Sequence, residues 1–163
     1  MLSEFDLITK YFTKPISNAS LGIGDDCALL MPTPGTQMAI STDMLVSGTH
    51  FFPDTDPAQL GHKSLAVNLS DLAAMGADPV AFTLALALPR AEETWLKPFS
   101  EGMFSLANLF QCELIGGDTT KGPLNICITV FGQIPLGQAI RRDNARHGDD
   151  IWISGTIGDA RLA

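Results

Sequence analysis

Cysteine, long apolar runs and positive charge are all scarce in this 163-residue sequence. Its three cysteines form no CxxC pair and have no histidine at zinc-ligand spacing, and their odd number is a poor basis for a disulfide framework, so we expect reduced core thiols. No apolar run approaches the roughly 20 residues that span a bilayer, and the first residues carry acids where a signal peptide carries bases. We therefore expect a soluble, unexported protein of the cytoplasm.

The shortage of positive charge limits the classes of molecule that the protein can bind. Ten Lys and Arg residues stand against 18 Asp and Glu residues, and the net charge is −8. Nucleic acids and anionic lipids repel such a protein, so we expect neither a nucleic-acid partner nor a membrane partner. Apolar residues make up 45% of the chain, which is the balance of a globular protein with its own core.

Apolar periodicity predicts helices over residues 3–12, with Ser3 as a cap, 57–75 and 92–111. Short apolar runs predict strands over residues 27–31, 37–42, 46–52, 80–88, 113–115, 124–134 and 151–154. The turn sequence between the first two strands predicts that they form a hairpin. Intermixed helices and strands predict an α+β fold, a mixed α/β sandwich.

The strand predicted over residues 80–88 alternates large and small side chains. Val80, Phe82, Leu84, Leu86 and Leu88 form the large face, and Ala81, Thr83, Ala85 and Ala87 form the small one. We expect both faces to be buried. The small face would admit either a helix of the same subunit or the sheet of a second subunit.

Aspartates recur beside small or hydroxylated residues at the edges of predicted elements: Asp26 with its neighbour Asp25, Asp43, Asp71 and Asp118. One such aspartate alone is more often a turn residue or a cap. If the four sites converge, their carboxylates cannot bind phosphate directly. The coherent chemistry is then several magnesium ions that bridge the acids to a polyphosphate such as ATP.

The second predicted helix carries a narrow polar stripe in an apolar surrounding. Gly61, Ser64, Asn68 and Asp71 share this stripe. A narrow stripe favours contact with a polar group inside the protein over an ordinary solvent-facing side.

Two common nucleotide motifs are absent: there is no GxxxxGK[ST] sequence, and Gly22-Ile23-Gly24 lacks the third glycine of a dinucleotide fingerprint. Gly116-Gly117 offers backbone N–H groups to an anion, and the Arg141-Arg142 pair suits a phosphate tail or simply adds solubilising charge. Among the histidines, only His50 follows an acidic motif closely enough to suggest contact with a substrate phosphate, and an ordinary exposed role fits it equally.

Four segments together resemble the thiamine-monophosphate kinase family. They are residues 21–30 (LGIGDDCALL), 39–51 (AISTDMLVSGTHF), 63–77 (KSLAVNLSDLAAMGA) and 114–120 (LIGGDTT), in the same order and at the same intervals as in the family. The likeness runs from about Phe5 to Asp159. Its superfamily includes aminoimidazole ribonucleotide synthetase and selenide water dikinase, whose amino-terminal sheets pair between subunits to form a barrel.

The resemblance implies a function and a set of site residues. It implies magnesium binding by Asp26, Ser41, Thr42, Asp43, Asp71 and Asp118, ATP binding by Gly117, Asp118 and Arg142, and contact of His50 with thiamine monophosphate. The implied reaction transfers a phosphoryl group directly from ATP to thiamine monophosphate, without a phosphoenzyme and without a protein nucleophile. A homodimer is implied as well.

The resemblance also divides the chain. Residues 1–150 correspond to an amino-terminal domain for ATP and magnesium binding and dimerisation, and residues 151–163 to the start of a second α/β domain that we expect to be truncated, leaving little turnover. Two alternatives stay open. One is a non-catalytic ATP-binding dimerisation module. The other is a different superfamily enzyme such as selenide water dikinase, which is disfavoured because the amino-terminal segment lacks a reactive cysteine.

Overall fold

The computed structural model describes residues 4–153 and 155–158. Its helices are α1 (Glu4–Leu7), which continues as a π-helical turn over Ile8–Phe12, α2 (Pro57–Met75) and α3 (Glu93–Leu109). Its strands are β1 (Ala19–Leu21), β2 (Leu29–Leu30), β3 (Thr36–Val46), β4 (Asp78–Leu88), β5 (Glu113–Lys121) and β6 (Asn125–Pro135). Within the described part of the chain, no helix is long and apolar enough to cross a membrane.

The main sheet is mixed, with the strand order β3-β6-β4-β5. Strand β4 runs parallel to β5 and antiparallel to β6, which in turn runs antiparallel to β3. The parallel pair needs a crossover connection, and α3 supplies it. Helix α2 packs on the sheet and α3 packs along α2, so the predicted mixture of helices and sheet is confirmed.

Helix α2 begins and ends where the sequence predicts. Asp56 caps it, because its Oδ1 accepts the backbone N–H of Gln59 at 3.0 Å, and Pro57 occupies the first turn. Gly76 ends the helix in a left-handed conformation at φ 71°. This helix carries the polar stripe, so its bounds fix the position of Asn68 and Asp71.

Glycines allow α2 and α3 to cross closely. A Cβ atom at Gly61 would lie 2.0 Å from the carbonyl oxygen of Phe99, and one at Gly102 would lie 2.0 Å from that of Ala58. Gly61 therefore belongs to a helix contact rather than to a polar site.

Only one face of the main sheet is covered along its full length. The large side chains Phe82, Leu84 and Leu86 of β4 are buried, whereas Ala85 on the other face is exposed. On that open face, Ile40 and Met44 of β3 are 62% and 55% exposed. The prediction that β4 is buried on both faces holds at Ala81, which is fully buried, but fails at Ala85, because alternation of side-chain size does not reveal whether anything covers each face.

The predicted hairpin is also wrong. Strand β2 pairs with β1 in a separate two-stranded sheet, and β3 pairs along its whole length with β6. The turn sequence between β2 and β3 therefore connects two different sheets. Strand β3 pairs with β6, which lies far along the chain.

Other strand bounds differ from the prediction. The strand predicted over 46–52 is absent: β3 ends at Val46, and the N–H groups of Thr49 and His50 bond to the Val46 carbonyl in a turn. Strand β5 continues past Ile115 through both glycines to Lys121, because β4 pairs with it there. Residues 151–153 form no strand, and Ser3 and Ser154 lie outside the described residues.

The cysteines are all free, but one is not a core thiol as predicted. Cys112 is buried, Cys127 is half-buried and Cys27 is exposed. Burial raises the pKa of Cys112 to about 12, so this thiol stays protonated and unreactive.

Candidate functional site

A cleft of about 880 Å³ runs along the edge strand β5. The loop over residues 22–28, the π-helical turn and α1, and residues 114–119 line it. Three predicted site residues, Asp26, Gly117 and Asp118, meet in this cleft together with Asp25. Its volume lies within the range of roughly 300–1,000 Å³ that small-molecule sites occupy.

Gly117 keeps the floor of the cleft free of side chains. Its φ of 144° is one that residues with a side chain rarely adopt, and a Cβ atom there would lie 1.9 Å from the carbonyl oxygen of Leu84. Together with Gly116 it leaves a stretch of bare backbone on an edge strand, next to the Asp118 carboxylate. A phosphate group or a hydrated cation could approach the backbone closely at this point.

The two adjacent aspartates of the loop have different roles. The Oδ1 atom of Asp25 accepts the backbone N–H of Asp26 at 2.8 Å, so Asp25 shapes the loop. Asp26 is exposed and lines the cleft, as does Asp118 across it on β5. The cleft therefore presents carboxylate oxygens beside bare backbone.

A second polar group joins β3 to α2. The Ser41 hydroxyl donates to Asp71 Oδ2 at 2.5 Å, and the backbone N–H of Asp43 donates to Asn68 Oδ1 at 3.1 Å. Asn68, which is fully buried, also donates from Nδ2 to the Ser64 carbonyl at 3.0 Å. The inward direction predicted for the polar stripe is confirmed for Ser64 and Asn68.

Thr42 is separated from its neighbours Ser41 and Asp43 because side chains alternate between the faces of a strand. Its hydroxyl lies 2.8 Å from that of Thr129, its cross-strand partner in β6, on the open face of the sheet. The Ser-Thr-Asp motif is thus divided between the two faces.

The described residues do not bring all of the predicted metal ligands together. Asp43 aligns with Ile128, Leu84 and Gly117 across the sheet, so β3 and β5 lie three strand spacings apart, roughly 14 Å. In the described part of the chain, no three His, Cys, Asp or Glu side chains lie close enough to hold a metal ion. Asp26 and Asp118 form one acidic group, and Ser41 and Asp71 form a separate pair.

His50 and Arg142 both lie outside the cleft. The Nδ1 atom of His50 accepts the Val46 N–H at 3.0 Å, which assigns the proton of the neutral ring to Nε2, and Lys63 Nζ donates to the His50 carbonyl at 2.9 Å. Arg142 is exposed and follows Ile140, whose N–H bonds to the Met75 carbonyl at the end of α2. Its neighbour Arg141 pairs with Asp143 at 2.6 Å.

The sequence and the fold have known counterparts. Residues 24–134 match the family described as AIR synthase related protein, N-terminal domain. The chain belongs to this family.

Individual relatives of this AIR synthase related domain are more specific. This chain is 54% identical over 160 residues to the thiamine-monophosphate kinase of Escherichia coli strain K12. The match covers 96% of this chain and 49% of that protein. The crystal structure of thiamine-monophosphate kinase from Stenotrophomonas maltophilia K279a matches with a TM-score of 0.83 and 55% identity over 88% of the chain and 46% of that protein. The structure "AaThiL complexed with AMPPCP and TMP" matches with a TM-score of 0.74 and 31% identity over 80% and 42%. The chain spans about half the length of the curated relatives it matches.

The donor atoms of this AIR synthase related domain suit magnesium. Asp26 and Asp118 offer exposed carboxylates in the cleft, and Asp71 offers one beside the Ser41 hydroxyl. Magnesium prefers such hard oxygen ligands and keeps several of its own waters, so a loose ligand set is compatible with it. The residues therefore fit the ion in chemical type.

Sequence reasoning missed a residue that positions the cleft. Both carboxylate oxygens of Glu113, at the start of β5, accept the N–H of Ser17 at 2.8 and 2.9 Å, and Oε2 also accepts the N–H of Asn18 at 2.8 Å. Burial acts to raise the pKa of Glu113, but hydrogen bonds from Ser17, Asn18 and Ala19 outweigh it and hold the pKa below its usual value. Nothing in the spacing of a lone glutamate indicates such a clamp, since its partners lie 95 residues away or more.

Proposed function

We propose that this chain is the nucleotide- and magnesium-binding part of a thiamine-monophosphate kinase, which transfers the terminal phosphoryl group of ATP to the phosphate of thiamine monophosphate. The observation that carries the proposal is the cleft along β5, where Asp26, Gly117 and Asp118 meet. The 54% identity with a thiamine-monophosphate kinase over 96% of the chain supports this assignment. The relative solved with AMPPCP and TMP supports the pairing of these two substrates.

The chemistry of the cleft requires a cation. Asp25, Asp26 and Asp118 would repel a triphosphate directly, and the whole chain carries a net charge of −8. Bound magnesium would supply positive charge to the phosphates and orient them. The bare backbone at Gly116 and Gly117 would admit the phosphate chain, and Asp26 and Asp118 would hold the metal beside it.

Of the remaining proposed ligands, Ser41, Thr42 and Asp43 lie on β3 at the other edge of the sheet, and Asp71 is bonded to Ser41. We assign Ser41, Thr42, Asp43 and Asp71 to further magnesium positions, Arg142 to ATP and His50 to thiamine monophosphate, with the His50 Nε2–H as donor. Strands β3 and β5 are opposite edges of the sheet, so the residues on the two edges of one chain do not meet. We propose that a second copy of the chain completes the site, or the part of the relatives' length that this chain does not span.

A homodimer is our proposal for the partner. Ile40 and Met44 expose large apolar side chains on the open sheet face, and the small side chains of β4 on that face would let a second sheet approach closely. Pairing of two such faces into a barrel would bury them. We also propose a cytoplasmic location, which the three free cysteines support.

Calorimetric titration with a non-hydrolysable ATP analogue, with and without magnesium, tests the function. We expect magnesium-dependent binding that Asp118→Asn weakens at least about tenfold, since a charged ligand to the metal is lost. Asp54→Asn is the matched control, because Asp54 is exposed and lies outside the cleft. Equal binding with and without magnesium, or equal loss in both variants, would contradict the proposal.

A non-catalytic ATP-binding module is the second candidate, favoured by the distance of roughly 14 Å between the strands that carry Asp43 and Asp118. The two candidates differ in turnover. Production of thiamine diphosphate by the chain alone would favour the kinase, whereas magnesium-dependent ATP binding without any turnover would favour the binding module.

A further inference from the structure

The turn that follows β3, over residues 47–51, is exposed at its tip but closely bonded. The N–H of Gly48 donates to the Phe51 carbonyl at 2.9 Å, and the N–H of His50 donates to the Val46 carbonyl at 2.9 Å. The Phe51 side chain is buried and anchors the turn. Because His50 Nδ1 accepts the Val46 N–H at 3.0 Å, the imidazole ring is oriented as well, and its Nε2–H is available as a donor.

Lys63 connects α2 to this turn. Its Nζ atom donates to the His50 carbonyl at 2.9 Å. A carbonyl oxygen is neutral, so the ammonium keeps its whole charge, and two of its three N–H groups are left for another partner. Within the described residues Lys63 forms no ion pair, whereas Lys10 is paired with Glu93. The turn therefore carries an uncompensated positive charge in a chain whose net charge is −8.

The backbone at position 63 is fixed by contacts that do not involve the Lys63 side chain. Asp56 caps α2, and Asp71 and Asn68 bond the helix to β3. The Lys63 side chain itself is exposed, so its shortening or replacement leaves no cavity in the core. We therefore expect a substitution at position 63 to change the charge at the turn without unfolding the chain.

We infer that Lys63 binds the phosphate of thiamine monophosphate together with the Nε2–H of His50, and that its charge selects this substrate over unphosphorylated thiamine. This inference rests on the proposed function, which assigns His50 alone to that substrate. A neutral imidazole supplies one hydrogen bond and no charge, whereas a phosphate is repelled by the acidic chain as a whole. The Lys63 ammonium supplies the charge that the imidazole lacks, at the same turn.

Calorimetric titration in the presence of magnesium tests this inference with three ligands: thiamine monophosphate, thiamine and the non-hydrolysable ATP analogue. We expect Lys63→Met to weaken binding of thiamine monophosphate about tenfold, the lower end of what a hydrogen bond to a charged group contributes. The affinities for thiamine and for the ATP analogue should not change. Lys63→Arg, which keeps the charge and the N–H donors, should retain most of the affinity for thiamine monophosphate.

Lys97→Met is the matched control, since Lys97 is an exposed lysine of α3 outside the turn and the cleft, and it should change none of the three affinities. Equal weakening of thiamine monophosphate and thiamine by Lys63→Met would mean that Lys63 only holds the turn, and would overturn the inference. Unchanged binding of thiamine monophosphate by Lys63→Met, or a loss in Lys63→Arg as large as in Lys63→Met, would overturn it too.

The wild-type chain separates this inference from the proposed function. Binding of the ATP analogue without binding of thiamine monophosphate would overturn the inference and leave the nucleotide and magnesium site intact. Failure to bind either ligand would overturn the proposed function, and the inference with it.

Discussion

The two edges of the main sheet are built in opposite ways. At the β5 edge, bare backbone at Gly117 and exposed carboxylates at Asp26 and Asp118 surround a cleft. At the β3 edge, Ser41 and the backbone of Asp43 are bonded to α2 through Asp71 and the buried Asn68. The first edge is open to a ligand, whereas the second is fixed by internal hydrogen bonds that also hold the helix on the sheet.

Gly117→Val tests the β5 edge and should have the largest effect. The new side chain would collide with the Leu84 backbone and adopt a φ unsuited to it, so we expect a loss of about 3 kcal/mol in the free energy of unfolding. Urea denaturation measures this loss. Gly116→Ala is the control, because a Cβ atom there would meet only the Thr83 Cγ2 atom at 3.8 Å. Similar losses in both variants would contradict the special role of position 117.

Asn68→Ala tests the β3 edge. It removes the acceptor for the Asp43 N–H and a fully buried side chain, so we expect a loss of about 2 kcal/mol in stability. Ser64→Ala should cost much less, since that hydroxyl bonds only to the Leu60 carbonyl of its own helix at 2.7 Å. Thermal unfolding of the two variants makes the comparison, and equal losses would show that Asn68 does not tie the strand to the helix.

The sequence predicted the two edges unequally well. Local signals were sufficient for α2, where Asp56, Pro57 and Gly76 mark its ends, and for the inward direction of Asn68. The hairpin prediction failed because the partner of β3 is β6, a choice made by long-range packing that no turn sequence records. The sequence did not reveal that the helical segment Glu4–Phe12 lines the cleft or that Glu113 clamps Ser17 and Asn18, since both depend on contacts between distant segments.

Glu113→Gln tests whether the clamp positions the start of β5. We expect a loss of about 1 kcal/mol at pH 7, because a half-exposed carboxylate is screened by water although it accepts several N–H groups. The pKa of Glu113 is lowered by folding, so its contribution is present above the ordinary value of 4.5 and is lost as the pH falls through the folded value. The stability difference between wild type and variant should therefore shrink on acidification below pH 4.5.

Urea denaturation at pH 7 and at pH 3 measures this difference. Glu101→Gln is the control, since Glu101 is an exposed acid on α3, and it should show little difference from wild type at either pH. A difference between wild type and Glu113→Gln that does not depend on pH would mean that the carboxylate charge of Glu113 does not contribute to the clamp.

The smallest effect is expected for Lys10→Met, which breaks the bond between the helical segment Glu4–Phe12 and Glu93 of α3. Both side chains are about half exposed, at 47% and 59%, and exposed ion pairs of this kind are weakened by solvent and by salt. The midpoint of urea unfolding should not move measurably at either low or high salt, although Glu113→Gln shifts it. If Lys10→Met instead destabilised the chain as much as Glu113→Gln, the amino-terminal segment would be held by α3 as strongly as by the start of β5. The contrast between the two edges would then be weaker.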